Sequence, residues 1–231
     1  MKKISVIIPA YNEERTIALI IQKVKAVNLR NLEKEIIVVD NNSKDKTGEI
    51  ARSIPGVKVF LEKIKGKGAS VRRGFQEATG DIFIIQDADL EYDPGDFPAV
   101  LEPILSGRCN MTNGVRIEGR FHGKDFIHAG FLGFIGNSII TFTTNVLYQN
   151  KAGEYEGCYK AITKEMARLI DVRANDFDFE NELVCKMLKK GEVIIDVPIH
   201  YYPRSYSDGK KIKWIHGFKI LRTVIKTRFF D

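Results

Sequence analysis

The sequence is short of cysteine, and the three that it has are odd in number and far apart. Cys109, Cys158 and Cys185 fit neither a disulfide framework nor the ligand spacing of a zinc site. A disulfide-rich secreted fold is therefore excluded, and a reducing compartment is the simpler prediction. We also expect no secretory signal, because the first apolar run is too short and Glu13 soon follows it.

The common signatures of nucleotide-binding and hydrolytic enzymes are missing as well. The glycine-rich segment 66–71 lacks the third glycine of a dinucleotide-binding loop and does not complete a P-loop. No arrangement of serine, histidine and aspartate, or of cysteine and histidine, suggests a nucleophilic triad. The four histidines show no metal-ligand spacing.

Length and charge set broad bounds. The 231 residues suit one large domain or two intimate halves, and 44% hydrophobic residues can fill a sizeable core. The formal net charge is +6. This excess favours an anionic partner such as phosphate, nucleic acid or an acidic membrane, without choosing among them.

The first half of the sequence alternates apolar strands with helices. This pattern predicts an α/β fold with a mostly parallel central sheet and helices on both faces. The predicted strands are 3–8, 35–40, 57–61 and 81–86, and the predicted helices are 13–28, 43–50 (capped by Ser43) and 67–79. The second half is less regular, with strands near 109–115, 157–162 and 192–197 and a helix at 179–190.

Polar or acidic clusters follow three of these strands. They are Pro9-Ala-Tyr-Asn-Glu13, Asp40-Asn-Asn-Ser43 and Asp87-Ala-Asp89. Ligands of open α/β sheets gather outside the carboxyl ends of the strands. Position alone therefore predicts a site formed by these clusters.

Asp87 and Asp89 are the centre of the predicted site. Two carboxylates at the end of a buried strand can hold Mg²⁺ or Mn²⁺, although an isolated pair is more often a solvated or capping turn. Here Glu91 and Asp93 extend the run, and Asp40 should lie nearby across the sheet. Such concentrated negative charge costs stability unless a cation neutralises it, which favours a metal.

The neighbouring segments suggest how a nucleotide could bind. Tyr11 could be a platform for the base and Asp40 could hydrogen-bond the base or ribose, while a simple helix cap would explain the same turn. Lys67 and Arg72 flank a helix start after two glycines, where N–H groups and cations suit phosphate. Solvated surface charge explains these two residues equally well.

Several segments together resemble the family 2 glycosyltransferases with the GT-A fold. They are Val-Ile-Ile-Pro-Ala-Tyr-Asn-Glu-Glu (6–14), Ile-Ile-Val-Val-Asp-Asn-Asn-Ser (36–43) and Gly-Asp-Ile-Phe-Ile-Ile-Gln-Asp-Ala-Asp-Leu-Glu-Tyr-Asp-Pro (80–94). The segments 136–141, 158–160, 179–182, 197–204 and 209–214 are more narrowly similar to dolichyl- or polyprenyl-phosphate mannosyl- and glucosyltransferases. The resemblance spans nearly the whole chain.

The resemblance implies an enzyme that transfers a hexose, with inversion, from a nucleotide diphosphate sugar (GDP-mannose or UDP-glucose type) to a polyprenyl or dolichyl phosphate, with Mg²⁺ or Mn²⁺. It implies one domain, 1–231, whose half 1–115 binds the donor and whose half 116–231 faces acceptor and membrane. The implied metal ligands are Asp87, Asp89 and Glu91, and the implied catalytic residues are Asp87, Asp89, Arg116 and Arg204. The implied donor-binding residues are Pro9, Ala10, Tyr11, Glu13, Asp40, Asn42, Lys67, Asp87, Ala88, Asp89, Arg204 and Lys210.

Four charged residues belong to the predicted phosphate-binding part of the site, three basic and one acidic. The resemblance places Arg116 against the acceptor phosphate, and Arg204 and Lys210 in a closing loop that approaches the donor phosphates. Glu154 stands where the family has aspartate, which indicates an atypical acceptor or sugar.

The apolar stretch Phe126–Tyr148 and the basic, aromatic tail Lys210–Phe230 favour a membrane setting. The stretch is too polar for a span and fits an interfacial or core helix. The tail suits an anionic bilayer surface, although an ordinary C-terminal helix has the same pattern. Many members of the family continue into transmembrane helices, whereas this sequence stops at Asp231. We therefore expect peripheral attachment at the cytoplasmic face of a membrane, or a separate membrane partner.

Two other functions stay open at this point. A glycosyltransferase with a soluble or polysaccharide acceptor would use the same donor site, but it would leave Arg116 and the apolar stretch without an obvious purpose. A non-catalytic nucleotide- or nucleic-acid-binding module would use the positive charge, but the acidic cluster would repel nucleic acid unless a metal intervened. We expect no nucleic-acid partner.

Overall fold

The structure of the protein, a computed structural model, describes residues 2–30, 32–116, 131–203 and 215–231. Helices surround one seven-stranded sheet. The strands are β1 (Lys3–Ala10), β2 (Glu33–Asp40), β3 (Val57–Leu61), β4 (Ile82–Ile85), β5 (Met111–Arg116), β6 (Lys160–Thr163) and β7 (Ile194–Ile199). The helices are α1 (Ile17–Ala26), α2 (Thr47–Ser53), α3 (Lys67–Glu77), α4 (Phe97–Leu105), α5 (Phe131–Tyr148), α6 (Lys164–Leu169), α7 (Phe179–Lys189) and α8 (Ile215–Phe230).

The sheet is mostly parallel, as the sequence predicted. Its strands lie in the order β3-β2-β1-β4-β6-β5-β7, and β6 is antiparallel to both of its neighbours. The other pairs are parallel. The sequence pattern did not reveal the reversal of β6, because a short apolar strand reads the same in either direction.

The centre of the sheet is buried on both faces. Residues Ile4 to Ala10 of β1 and all of β4 are buried, although successive side chains of a strand point to opposite faces. Continuous burial therefore means that packed elements cover both sides, as the unbroken apolar runs predicted. Strands β1 and β4 are neighbours in the interior of the sheet, so the residues that follow them are held in place by this packing.

Helix α2 differs from the sequence prediction, and helices α4 and α6 were not predicted. Helix α2 begins only at Thr47 and Ser43 does not cap it, because the Ser43 hydroxyl accepts a hydrogen bond from the Asn12 amide at 3.0 Å. Helix α4 contains Pro103, a residue that disfavours the interior of a helix.

Helices α5, α7 and α8 form a second, smaller apolar cluster around Ile140, Cys185, Ile220 and Val224. The helix predicted in the stretch Phe126–Tyr148 is confirmed from Phe131 onward, and 126–130 lie outside the described residues. Across the described ranges, no helix combines the length and the apolar character that a bilayer span requires.

The carboxylate of Glu35 ties β2 to its neighbours. It accepts hydrogen bonds from the Ser5 hydroxyl (2.5 Å), the Thr79 amide (2.9 Å), the Thr79 hydroxyl (2.8 Å) and the Lys58 ammonium (2.6 Å). Burial alone would raise the pKa of Glu35, but these hydrogen bonds outweigh burial and lower the pKa to about 2. Its stabilising contribution is therefore present above the ordinary pKa of 4.5 and is lost as the pH falls toward 2.

Replacing Glu35 with Gln should lower the free energy of unfolding at pH 7 by about 1–3 kcal/mol, because a shielded acceptor of several hydrogen bonds loses its charge. Urea unfolding measures this loss, and the difference from wild type should shrink near pH 3. Glu33→Gln, an exposed carboxylate on the same strand, is the control and should cost less than about 0.5 kcal/mol. Equal losses in both variants would contradict the assignment.

Candidate functional site

The three predicted clusters meet at one end of the sheet, which we call the carboxyl edge: residues 9–13, 40–43 and 87–89. Strands β2, β1 and β4 are neighbours, so their carboxyl ends lie side by side. The Asn41 amide donates to the Ala10 carbonyl at 2.8 Å, and the Lys44 amide donates to Asn12 Oδ1 at 2.8 Å. The loops after β1 and β2 therefore form one hydrogen-bonded surface.

The side chains at the carboxyl edge differ in exposure. Tyr11 and Asn42 are exposed, Asp87 and Asp89 are half-buried, and Pro9, Ala10, Glu13, Asp40 and Ala88 are buried. The Asp40 carboxylate accepts a hydrogen bond from the Ser43 amide at 3.0 Å. A side chain at Gly48 of α2 would collide with this carboxylate. The glycine therefore leaves room for the Asp40 side chain.

Lys67 lies between two carboxylates at the carboxyl edge. Its Nζ atom is 2.7 Å from Asp87 Oδ1 and 2.7 Å from Glu180 Oε1. Burial alone would lower the pKa of Lys67, but Asp87 and Glu180 outweigh it and raise the pKa well above its ordinary value. The lysine is therefore a permanent cation here, and its carboxylate partners come from both halves of the chain.

Two glycines allow α3 to begin at this place. Gly66 has a φ of +123°, and a Cβ atom on it would collide with the Asn175 carbonyl. A Cβ atom on Gly68 would collide with Phe179, the first residue of α7. Because both glycines lack a side chain, the first turn of α3 packs directly on the start of α7 and brings Lys67 to Glu180.

Arg72 holds the loop before α7. Its guanidinium donates to the carbonyls of Val172 and Ala174, both at 3.3 Å, and to the side chain of Asn175. The sequence had left phosphate binding and solvated surface charge open for this residue. The structure gives it a third role, in which it fixes the loop against which α3 packs.

Asp87 and Asp89 fit a site for Mg²⁺ or Mn²⁺ that needs further ligands from a substrate. These ions take one or two carboxylates and complete their shell with water and phosphate oxygens. The Glu91 side chain is buried and hydrogen-bonds to the Tyr201 phenol. Within the parts of the chain that the structure describes, no group of three or more His, Cys, Asp or Glu side chains is arranged to hold a metal. The expected ligand set Asp87, Asp89 and Glu91 stays a prediction from the sequence.

Arg116, at the end of β5, is paired with Glu154. Its Nε donates to both Glu154 oxygens at 2.9 Å, its Nη2 lies 2.5 Å from Oε2, and its backbone amide donates to Oε1 at 2.5 Å. Burial would lower the pKa of Arg116, but hydrogen bonding to Glu154 raises it. The Asn113 side chain donates to the Glu154 carbonyl at 2.7 Å and so fixes this residue on the sheet.

An aromatic contact links Arg116 to the carboxyl edge. The guanidinium lies 5.0 Å from the ring centre of Tyr201, whose ring packs on Tyr92 at 5.1 Å. The Tyr202 amide donates to the Glu91 carbonyl at 2.8 Å. The segment after β4 and the residues after β7 therefore pack together beside the Arg116 guanidinium.

The sequence analysis missed a buried polar cluster behind the carboxyl edge. The Lys160 ammonium is fully buried and donates to two backbone carbonyls of the loop before β6, at 2.9 and 2.5 Å. Burial lowers the pKa of Lys160, despite nearby Glu180 and Glu156, and raises the pKa of Glu156, which accepts a hydrogen bond from Asn181 at 2.8 Å. A lysine inside an apolar strand was the one signal in the sequence.

Arg204 and Lys210 lie outside the described residues. Their roles at the donor phosphates stay predictions from the sequence.

Replacing Glu154 with Ala should lower the free energy of unfolding by about 1–3 kcal/mol, because Arg116 would lose its carboxylate while remaining largely shielded from solvent. Urea unfolding measures this change. Glu154→Asp should retain part of the stability, and Glu33→Ala, on the exposed end of β2, is the control. Wild-type stability in Glu154→Ala would show that the pair contributes nothing to the fold.

Comparison with known sequences gives one family. Residues 5–170 match the model of glycosyl transferase family 2. A dolichol-phosphate mannosyltransferase from Pyrococcus furiosus is 41% identical over 233 residues, which cover 97% of this chain and 63% of that protein. The low-salt glycan biosynthesis hexosyltransferase Agl6 from Haloferax volcanii is 30% identical over 224 residues, which cover 92% of this chain and 52% of that protein. This chain thus spans about half to two thirds of the length of these relatives.

Solved structures share the fold. The glucosyl-3-phosphoglycerate synthase from Mycobacterium tuberculosis, in complex with Mn²⁺, UDP and phosphoglyceric acid, superposes with a TM-score of 0.76 at 20% identity, over 98% of this chain and 77% of that one. The expected GT-A fold is confirmed. Since the family match covers most of the chain, this protein belongs to glycosyl transferase family 2.

Proposed function

We propose that this protein is an inverting hexosyltransferase that uses a nucleotide diphosphate sugar, of the GDP-mannose or UDP-glucose type, and a polyprenyl or dolichyl phosphate acceptor. The observation that carries the proposal is the pair Asp87 and Asp89, half-buried at the carboxyl edge beside the loops that follow β1 and β2. Membership of the family makes sugar transfer the expected chemistry. The Pyrococcus furiosus relative is a dolichol-phosphate mannosyltransferase, which supports the acceptor class.

The nucleoside would lie over the loops after β1 and β2. The exposed ring of Tyr11 can stack on a base, and the Asp40 carboxylate can accept a hydrogen bond from the base or ribose. The remaining donor contacts in this proposal come from Pro9, Ala10, Glu13, Asn42 and Ala88. Since the two loops are hydrogen-bonded to each other, this surface would be formed before the donor arrives.

The diphosphate would lie beside Asp87 and Asp89. A divalent metal held by these carboxylates would supply positive charge to the leaving group. Lys67 brings a second, permanent cation next to Asp87. Arg204 and Lys210 are proposed to add positive charge to the same phosphates.

The acceptor phosphate would bind Arg116. An oxygen of the acceptor phosphate attacks the anomeric carbon of the donor sugar. The bond from that carbon to the diphosphate oxygen breaks, and its electron pair leaves with the diphosphate. This single displacement inverts the configuration. Because a phosphate is already ionised near pH 7, the step depends on positioning and charge stabilisation rather than on a strong general base.

The pairing of Arg116 with Glu154 favours one alternative acceptor class. Glu154 neutralises much of the positive charge that a phosphate would seek, whereas a hydroxyl of a soluble sugar or polysaccharide needs no free arginine. Transfer assays with polyprenyl phosphate and with soluble glycans separate the two acceptors. Transfer to a soluble glycan alone would replace the lipid acceptor in this proposal.

Helices α5 and α8 expose apolar and basic side chains that suit contact with a membrane. We call these exposed residues the apolar-basic face. Ile135, Ile139, Phe142 and Val146 are exposed along one stripe of α5, and Phe218, Ile225, Phe229 and Phe230 are exposed on α8. A shallow groove on α8 also includes Arg222 and Lys226. Exposed aromatic side chains flanked by cations suit an anionic lipid surface.

We propose that the protein attaches through the apolar-basic face to the cytoplasmic face of a membrane. The odd number of cysteines suits a reducing compartment, and lipid phosphate acceptors reside in bilayers. A separate membrane protein that covers the apolar-basic face is the alternative partner.

Replacing Asp89 with Asn should reduce metal-dependent sugar transfer by at least about 100-fold, because the variant loses one ligand of the ion that stabilises the leaving diphosphate. Transfer of labelled hexose to polyprenyl phosphate in Mn²⁺ measures the effect. Glu33→Gln, at the opposite end of the strands, is the control and should keep full activity. Full activity in Asp89→Asn would remove the metal assignment.

Replacing Phe218 and Phe229 together with Ser should weaken binding to vesicles that contain anionic lipid by about tenfold or more, because two exposed aromatic side chains no longer enter the interface. Vesicle flotation measures binding, which should also fall with added salt.

The matched control for flotation replaces two exposed leucines elsewhere, Leu19 and Leu169, with Ser and should leave binding unchanged. No flotation of the wild-type protein would contradict peripheral attachment. Self-association lost in the Phe218 and Phe229 variant would instead assign the apolar-basic face to contacts between copies.

A further inference from the structure

Lys67 already occupies one side of the carboxylate that a metal would need. Its Nζ lies 2.7 Å from Asp87 Oδ1 and 2.7 Å from Glu180 Oε1, and the three side chains expose only 16%, 19% and 10% of their surface. Attraction between charges is stronger in such shielded surroundings than at the open surface. The strength with which Lys67 holds Asp87 therefore affects how tightly Asp87 can hold any other cation.

We propose that Lys67 is a built-in competitor of the divalent metal at Asp87, and that Glu180 sets the competition by drawing Lys67 away. Glu180 then acts as a positioning residue, because it works through Lys67 and not by touching the donor or the ion. When Asp87 binds a metal, Glu180 retains the lysine beside the diphosphate site. This proposal rests on the metal assignment of the proposed function, and it names the residues that regulate the affinity for the metal.

The surroundings of Glu180 keep it in place for this role. It lies in the first turn of α7, where a carboxylate is favoured by the helix dipole. The preceding Phe179 packs on Phe75 of α3 with ring centres 6.0 Å apart, and Gly68 allows the close approach of the two helices. Lys67 thus bridges two carboxylates that are held by separate rigid elements.

Two substitutions should change metal affinity in opposite directions. Lys67→Met removes the competitor and should strengthen Mn²⁺ binding by roughly tenfold, within the range of effects that contacting charged groups usually give. Glu180→Gln leaves Lys67 to Asp87 alone and should weaken Mn²⁺ binding by about 3- to 10-fold. Titration of the purified protein with Mn²⁺ in the presence of a nucleoside diphosphate, followed by electron paramagnetic resonance, measures both.

A double variant separates this pairing from a general effect of charge. In the Lys67→Met background, Glu180→Gln should change Mn²⁺ affinity by less than about twofold, because Glu180 acts only through the lysine. Lys65→Met, which removes an exposed lysine two residues away, is the matched control and should leave the affinity unchanged. Thermal unfolding checks that each variant is folded, and Lys67→Gln is the second variant if Lys67→Met is not.

The outcomes distinguish this inference from the proposed function. Mn²⁺ binding that is unchanged or weaker in both Lys67 variants would overturn the competition while leaving the metal site intact. An equal effect of Glu180→Gln with and without Lys67 would reduce Glu180 to a distant charge. Absence of Mn²⁺ binding by the wild-type protein, with or without a nucleoside diphosphate, would remove the metal assignment and this inference together.

Discussion

Negative charge at the carboxyl edge is the constraint on which the candidate site depends. Neighbouring parallel strands bring the carboxylates of Asp40 and Asp87 to one end of the sheet. Each carboxylate is stabilised by a different group, Asp40 by the Ser43 amide and Asp87 by the Lys67 ammonium. The packing of α3 on α7 brings the lysine and its second carboxylate partner together.

The sheet and the position of the site could be predicted because they depend on short-range patterns. Unbroken apolar runs reveal strands that are buried on both faces, and the polar residues directly after them must lie at the sheet edge. That reasoning placed Asp40 and Asp87 correctly from the sequence alone. It also found α3 and α7, whose glycine start and apolar spacing are local features.

The partners of the charged residues could not be predicted in the same way. Arg116 and Glu154, or Lys67 and Glu180, are far apart in sequence and meet only after the second half has packed on the first. A charged residue carries no periodic signal that names its partner. The direction of β6 was missed because a short apolar strand reads the same in either direction. The proline-containing helix α4 was missed because tertiary packing overrides the local preference there.

The close contact that Gly66 and Gly68 permit has a consequence for how new specificities can arise. Strand β5 belongs to the first half by sequence but hydrogen-bonds to β6 and β7, and α3 presses on the start of α7. A hybrid made by joining residues 1–115 of this protein to the later residues of a relative would have to match both contacts across the junction. We therefore propose that 1–231 folds as one unit, and that a hybrid of two family members needs compatible partners at both contacts.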